Sequence, residues 1–165
     1  MKTRTQKIVI AAMFSALICV ATMIIKIPTQ KGYINLGDSV VLLTAWIMSP
    51  TYAFLASGIG SALADIFLGY PIYAPVTFIV KGCMALLAYY SFRKLAPKIN
   101  NLAARIISGV LAELVMILGY YIFEGFLYGF ITAMLSIPGS IMQATAGVIL
   151  GVILIKVFLK NKIFM

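Results

Sequence analysis

Apolar residues run almost unbroken along this chain, in segments too long for strands and without the alternation that strands show. Such runs fall at about 8–27, 36–49, 51–69, 75–92, 105–123 and 139–158, parted by short stretches where glycine, proline or charge gathers. A helix that crosses a bilayer needs roughly 20 apolar residues. Five of the six runs approach that length, which predicts membrane helices rather than barrel strands. In lipid the backbone has no partner outside its own helix, so continuous helices are the natural solution. The run at 36–49 is short and passes almost directly into the next. Residues 36–69 read either as one over-long helix or as two joined by a turn at Ser49-Pro50-Thr51.

Charge decides between them. Basic residues cluster at the N-terminus (Lys2, Arg4, Lys7), at 93–105 (Arg93, Lys94, Lys98, Arg105) and at the C-terminus (Lys156, Lys160, Lys162). If all three clusters face the cytoplasm, an even number of spans separates each pair. Four spans before residue 93 and two after residue 105 meet that condition; three before residue 93 do not. Pro50 suits the turn, because it disfavours helix at Ser49 and has no amide to donate. The expected fold class is an all-α integral membrane protein. It forms a single six-helix domain over residues 1–165, with both termini cytoplasmic. Lys2, Arg4 and Lys7 before an apolar run look like a secretory signal. The run is long and no small-x-small site precedes Lys26, so an uncleaved first span is expected.

Composition excludes several classes. With 63% hydrophobic and 10% charged residues, a soluble domain of this size would leave much apolar surface wet. The net charge of +9 would suggest nucleic acid in a soluble chain. Here the basic residues sit between apolar runs, so membrane orientation explains them and no nucleic acid is expected. Cys19 and Cys83 lie inside apolar runs and suggest neither a disulfide framework nor zinc. Histidine is absent, which removes Ser-His triads and the commonest metal ligand. No GxxxxGK[ST] loop is present, so the chain does not hydrolyse ATP. Neither enzyme activity, metal nor cofactor is expected.

Three connections carry character. Residues 28–37 hold glycine, proline and polar side chains and could fold as a cap. Residues 69–75 form a tight, proline-bracketed crossing. Residues 124–140 are apolar but punctuated, like an interfacial segment. All four acids, Asp38, Asp65, Glu113 and Glu124, lie in or beside the spans. An ionisable group at membrane depth costs about 2.5–3.5 kcal/mol on insertion scales, so it faces a partner or a cavity. With the expected topology, Asp38, Asp65 and Gln143 lie near the outer face. Lys81 sits roughly 9 Å below it, and Glu113 lies near the middle. Five helices thus send polar groups to the outer half, which predicts an outward-open cavity.

Plainer roles are open for each. Asp38 could cap helix two beside Ser39, and Asp65 could cap a loop amide near Gly69. Lys81 and Glu113 could form a structural ion pair. Tyr33, Tyr73, Tyr120, Tyr121 and Trp46 could be interfacial belt residues, or together stack on a flat ligand. Small residues at four-residue spacing let helices approach closely. They occur at Ala12 and Ala16, at Ala56, Gly60 and Ala64, and at Gly147 and Gly151. For the last two sets, packing within the chain is the expectation.

The segments QKGYINLGDSVVLL (30–43), SGIGSALADIFLGYPIYAPVTFIVKG (57–82) and AAMFSALI (11–18) resemble the substrate-binding S components of energy-coupling factor (ECF) transporters. The likeness is to the riboflavin-type branch that includes proteins of hydroxymethylpyrimidine or pyridoxine uptake, and it extends over essentially the whole chain. It implies a vitamin captured in an outward cavity beneath the first outer loop. It also implies docking, through Ala12 and Ala16, onto a transmembrane coupling protein (EcfT-like) driven by two ATPases. The residues that would meet the vitamin are Tyr33, Asn35, Asp38, Tyr73, Lys81, Glu113 and Gln143. Their mixture of donors, acceptors and ring faces suits a small, polar heteroaromatic such as pyridoxine or hydroxymethylpyrimidine. The competing expectations are a scaffolding protein of the cell envelope, with no small ligand, and a solitary facilitator, with uptake independent of any ATPase.

Overall fold

A computed structural model of the chain describes residues 3–24 and 35–160 in full, and the backbone alone at 26–28 and 33–34. In chain order come α1 (Arg4–Ile24), β1 (Lys26–Pro28), β2 (Tyr33–Asn35), α2 (Gly37–Ile47), α3 (Pro50–Phe67), α4 (Ala74–Leu95) and α5 (Asn101–Tyr128). The short α6 (Phe130–Ala133), a 3-10 turn (Met134–Ser136) and α7 (Ile137–Lys160) complete the described chain. β1 and β2 form an antiparallel hairpin with Ile27 opposite Ile34. Short connections make successive long helices antiparallel. One end of the bundle gathers the hairpin, the α3–α4 turn and the α5–α7 junction. The other gathers the α2–α3 and α4–α5 turns, with Arg4, Lys7, Arg93, Lys94, Lys98 and Lys160.

Residues 36–69 form two helices, not one. Ser49 is extended (φ −72°, ψ 155°) and Pro50 opens α3, where its missing amide costs nothing. The run at 8–27 stops earlier than its apolarity suggests, since α1 ends at Ile24 and Ile27 lies in a strand. Pro28 biases Ile27 away from helix. The segment 124–140 is the larger correction. Nothing before Gly129 breaks a helix, so α5 runs through to Tyr128. Gly129 then takes φ 86°, a conformation that favours glycine, and helix resumes at Phe130.

Among the described residues, four helical stretches have the length and apolarity to cross a bilayer: α1, α4, α5 and Phe130–Lys160. With eleven residues, α2 is about 17 Å long, and every residue from Gly37 to Trp46 is buried. It packs against α1, α3, α4 and α7. Its all-round apolarity serves a core position rather than a lipid face. Ser57, Gly58, Gly60, Ser61 and Asp65 make α3 less apolar, yet they let its neighbours close in. A Cβ at Gly60 would collide with the Ser15 carbonyl oxygen of α1. Across the α3–α4 seam, Phe54 lies over Gly82 and Phe78 over Gly58, with the rings edge to face at 5.5 Å and 87°. Gly147 and Gly151 face α2, so these ridges serve packing within the chain, as expected.

Gly60→Val therefore forces α1 and α3 apart and is expected to destabilise the fold by about 1–3 kcal/mol. Thermal unfolding in detergent reads this directly. A midpoint equal to that of the unsubstituted protein would show that the two helices are not in this close contact. The outer surface is apolar, with Ile24, Phe126, Leu135 and Ile131 exposed. Water would penalise such a surface, and the bilayer accepts it.

Candidate functional site

The polar side chains of the bundle gather at the hairpin end, where the chain enters α2. Asn35 Oδ1 accepts from the Gly37 amide (2.8 Å) and satisfies one of the donors that open a helix. Gly37 has no alternative there, because a Cβ would collide with Thr22 Oγ1. Asp38 follows in the first turn with no exposed surface. It is not the cap of α2: that position is Leu36, which makes no side-chain cap. Its carboxylate turns inward to the ends of two other helices. Lys81 Nζ of α4 donates to Asp38 Oδ1 in a buried ion pair. Gln143 Nε2 of α7 donates to Asp38 Oδ2 (2.6 Å). Gln143 Oε1 accepts from the Asn35 amide (3.0 Å), which ties the hairpin to the same cluster.

Lys81 and Thr77 on α4 and Tyr73 just before it follow at four-residue spacing. Lys81 Nζ lies 5.5 Å from the centre of the Tyr120 ring of α5, a distance at which the ring face attracts a cation. The Tyr120 and Thr77 hydroxyls are hydrogen-bonded at 3.0 Å. One turn further toward the hairpin end, the Tyr73 hydroxyl donates to Glu124 Oε1 (3.4 Å). The Tyr73 ring meets Phe123 edge to face at 5.2 Å. A polar ladder thus descends the α4–α5 seam to the Asp38–Lys81 pair.

Glu113 stands at the inner end of this array, 2% exposed. Neither of its oxygens has a hydrogen-bond partner among the described residues. Gly147 of α7 makes its position possible. A Cβ there would lie 2.6 Å from Glu113 Oε1 and 3.1 Å from Asp38 Cβ, so the two acidic residues approach the same bare stretch of helix. All four acids of the chain are buried. The described residues hold no group of three or more side chains fit to bind a metal.

Five of the residues singled out in the sequence, Asn35, Asp38, Lys81, Glu113 and Gln143, are brought to one buried region from β2, α2, α4, α5 and α7. Lys81 pairs with Asp38 rather than with Glu113, which corrects the ion pair considered above. The Tyr73 hydroxyl turns to Glu124. The Tyr33 side chain lies outside the described residues. Tyr120 is a cluster member rather than a belt residue. Thr77 was not singled out, although its place between Tyr73 and Lys81 at four-residue spacing was a readable signal. Trp46 is at the opposite end, where its Nε1 donates to Ser108 Oγ (3.1 Å). On α1, Ala12 and Ala16 are exposed, beside Ile8, Val9, Met13, Leu17 and Val20.

The family model for the ECF-type riboflavin transporter S component matches residues 2–160. The chain belongs to this S component family. A Pyrococcus woesei protein described as "Uncharacterized protein in gap 3'region" is 34% identical over 136 residues, covering 81% of this chain and 88% of its own. The same fold occurs in the structure titled "Structure and mechanism of the S component of a bacterial ECF transporter". That match has a TM-score of 0.74 at 20% identity, over 99% of this chain and 100% of the other. An S component for biotin from an ECF-type ABC transporter matches with a TM-score of 0.62 at 21% identity, over 94% and 95% of the two chains. The S component is the substrate-binding subunit of an ECF transporter, not an enzyme, and a multi-pass protein of the prokaryotic plasma membrane. S components of this kind bind vitamins and work with EcfT and ATPase subunits.

Proposed function

We propose that this S component captures a small heteroaromatic vitamin or precursor, pyridoxine or hydroxymethylpyrimidine, from outside the cell and delivers it for ATP-driven import. The observation that carries this reading is the buried cluster of Asp38, Lys81, Glu113 and Gln143 at the hairpin end. Membrane insertion makes such side chains costly, so a cluster with a bare carboxylate is better explained by a ligand than by packing. The proposed ligand-binding residues are then Asn35, Asp38, Lys81, Glu113 and Gln143, with Tyr120 as a ring face and Tyr73 toward the rim; Tyr33 stays in the proposed set on its sequence position. Basic residues at the opposite end favour six spans in a single domain, with that end and both termini cytoplasmic. The hairpin end would then face outward. Ala12 and Ala16 present a smooth strip on α1 to the coupling protein, which two ATPases drive.

Riboflavin is the second reading, favoured by the description of the matching family model. The compact cluster, closed by short contacts among four helices, suits a single ring better than three fused rings. Uptake of labelled ligands into cells that co-express the coupling protein and ATPases tests the reading. Accumulation of pyridoxine or hydroxymethylpyrimidine that requires an intact ATPase is expected. Uptake that persists without the ATPases would indicate a facilitator, and riboflavin uptake alone would favour the second reading.

A further inference from the structure

At the opposite end of the bundle, the α4–α5 turn carries Arg93, Lys94, Lys98 and Arg105. The chain from Ile66 to Ala112 holds no acid to balance them. Membrane orientation accounts for basic residues at that end, and water serves the exposed Lys94 and Lys98 well. Arg105 is placed differently. It opens the second turn of α5, half-buried, with its guanidinium over the Phe92 ring of α4 and 5.1 Å from the ring centre. Its Nε is shielded from solvent and has no acceptor among the described residues. A charged donor left bare in this way is costly. Arg93, the next residue along α4, lies over the Tyr89 ring at 5.4 Å. A guanidinium laid on a ring keeps its N–H edge for an anion, and that planar fork fits two oxygens of a phosphate.

The surface beside this edge separates a lipid from a free anion. Leu102, Ile106 and Val110 are exposed on α5, an apolar strip at four-residue spacing that runs from Arg105 toward the middle of the bundle. We infer that the α4–α5 turn binds the headgroup of an anionic phospholipid. The Arg105 guanidinium holds the phosphate, and an acyl chain lies along Leu102, Ile106 and Val110. Arg93, Lys94 and Lys98 supply a positive field that selects net charge. Phosphatidylcholine carries the same phosphate, but its choline cation would enter that field and be repelled. Phosphatidylglycerol brings no cation, and soluble phosphate has no chain for the strip.

The test is native mass spectrometry of the purified full chain in detergent, titrated with dioleoylphosphatidylglycerol or dioleoylphosphatidylcholine. The first is expected to bind about tenfold more tightly than the second. Arg105→Gln should bring the two lipids within about threefold of each other. Arg105→Lys keeps the charge, loses the fork, and should lose most of the preference. Lys160→Gln removes the same charge from the end of α7 and should change the preference by less than about twofold. Equal losses in Arg105→Gln and Lys160→Gln would show a diffuse basic surface and overturn the site. Arg93→Gln against Lys160→Gln carries the same comparison should the Arg105 variants fail to fold. Displacement of the lipid by millimolar inorganic phosphate would assign the site to a free anion and overturn the lipid. A ratio near one in the unsubstituted protein overturns the inference outright, and would point to an acidic protein segment as the partner of this turn.

Discussion

Lys81→Ala is expected to destabilise the bundle by about 3–5 kcal/mol and to eliminate ligand capture. The reason is the company Lys81 keeps. Asp38 has no exposed surface, and Lys81 is the cation whose Nζ bonds its carboxylate. Without it, Gln143 is the remaining side-chain donor to that carboxylate among the described residues. The effect on the fold and the effect on the ligand are separable. Replacing both partners with apolar residues of similar size, Asp38→Leu with Lys81→Met, removes the uncompensated charge. Such exchanges are neutral or stabilising by about 1–4 kcal/mol. The double variant is therefore expected to unfold near the temperature of the unsubstituted protein and still bind no vitamin. Thermal unfolding of the two single variants and the double variant, with titration of each folded form, completes the cycle. Additive losses would show that the pair is not coupled as the structure has it.

The second large effect concerns the exposed face of α1. Ala12→Trp places an indole on the exposed strip of α1 that Ala12 and Ala16 keep flat. Neither residue touches the polar cluster, so the affinity of the isolated S component for its vitamin is expected to be unchanged. With the proposed docking of a coupling helix on that strip, uptake should fall to the level of cells lacking the ATPases. Purification through a tag on the coupling protein should recover the unsubstituted chain and not Ala12→Trp. Normal uptake by the variant would move the docking surface elsewhere on the molecule.

Much of this architecture is legible in the residues themselves. The turn at Ser49-Pro50 follows from what proline forbids, and the burial of all four acids follows from the cost of charge in lipid. The row of Tyr73, at the entry to α4, with Thr77 and Lys81 on it is set by four-residue spacing. What one sequence does not reveal is which helix stands opposite each face. Lys81 meets Asp38 rather than Glu113 because α2 threads the middle of the bundle, and that position depends on four neighbours at once. The same limit hides the isolation of Glu113, which is visible only when every competing donor has been placed. Tyr73 is singled out for its ring near the outer face, and that reading does not foresee that its hydroxyl turns toward Glu124, the next polar group up the α5 seam. The extension of α5 to Tyr128 is a different case, since the apolar run ends before the helix does. Glu124 and Gly125 are polar or small, but neither breaks a helix; Gly129, with its positive φ, does.

In the proposed function, the buried cluster is the chamber that holds the vitamin. Native mass spectrometry of the purified chain, taken from cells supplied with the ligand, tests this most directly. The unsubstituted protein is predicted to carry a bound small molecule whose mass matches a heteroaromatic vitamin or precursor. The folded Asp38→Leu, Lys81→Met double variant is predicted to carry none. A double variant that retains the same molecule at the same occupancy would place the ligand elsewhere and contradict the account.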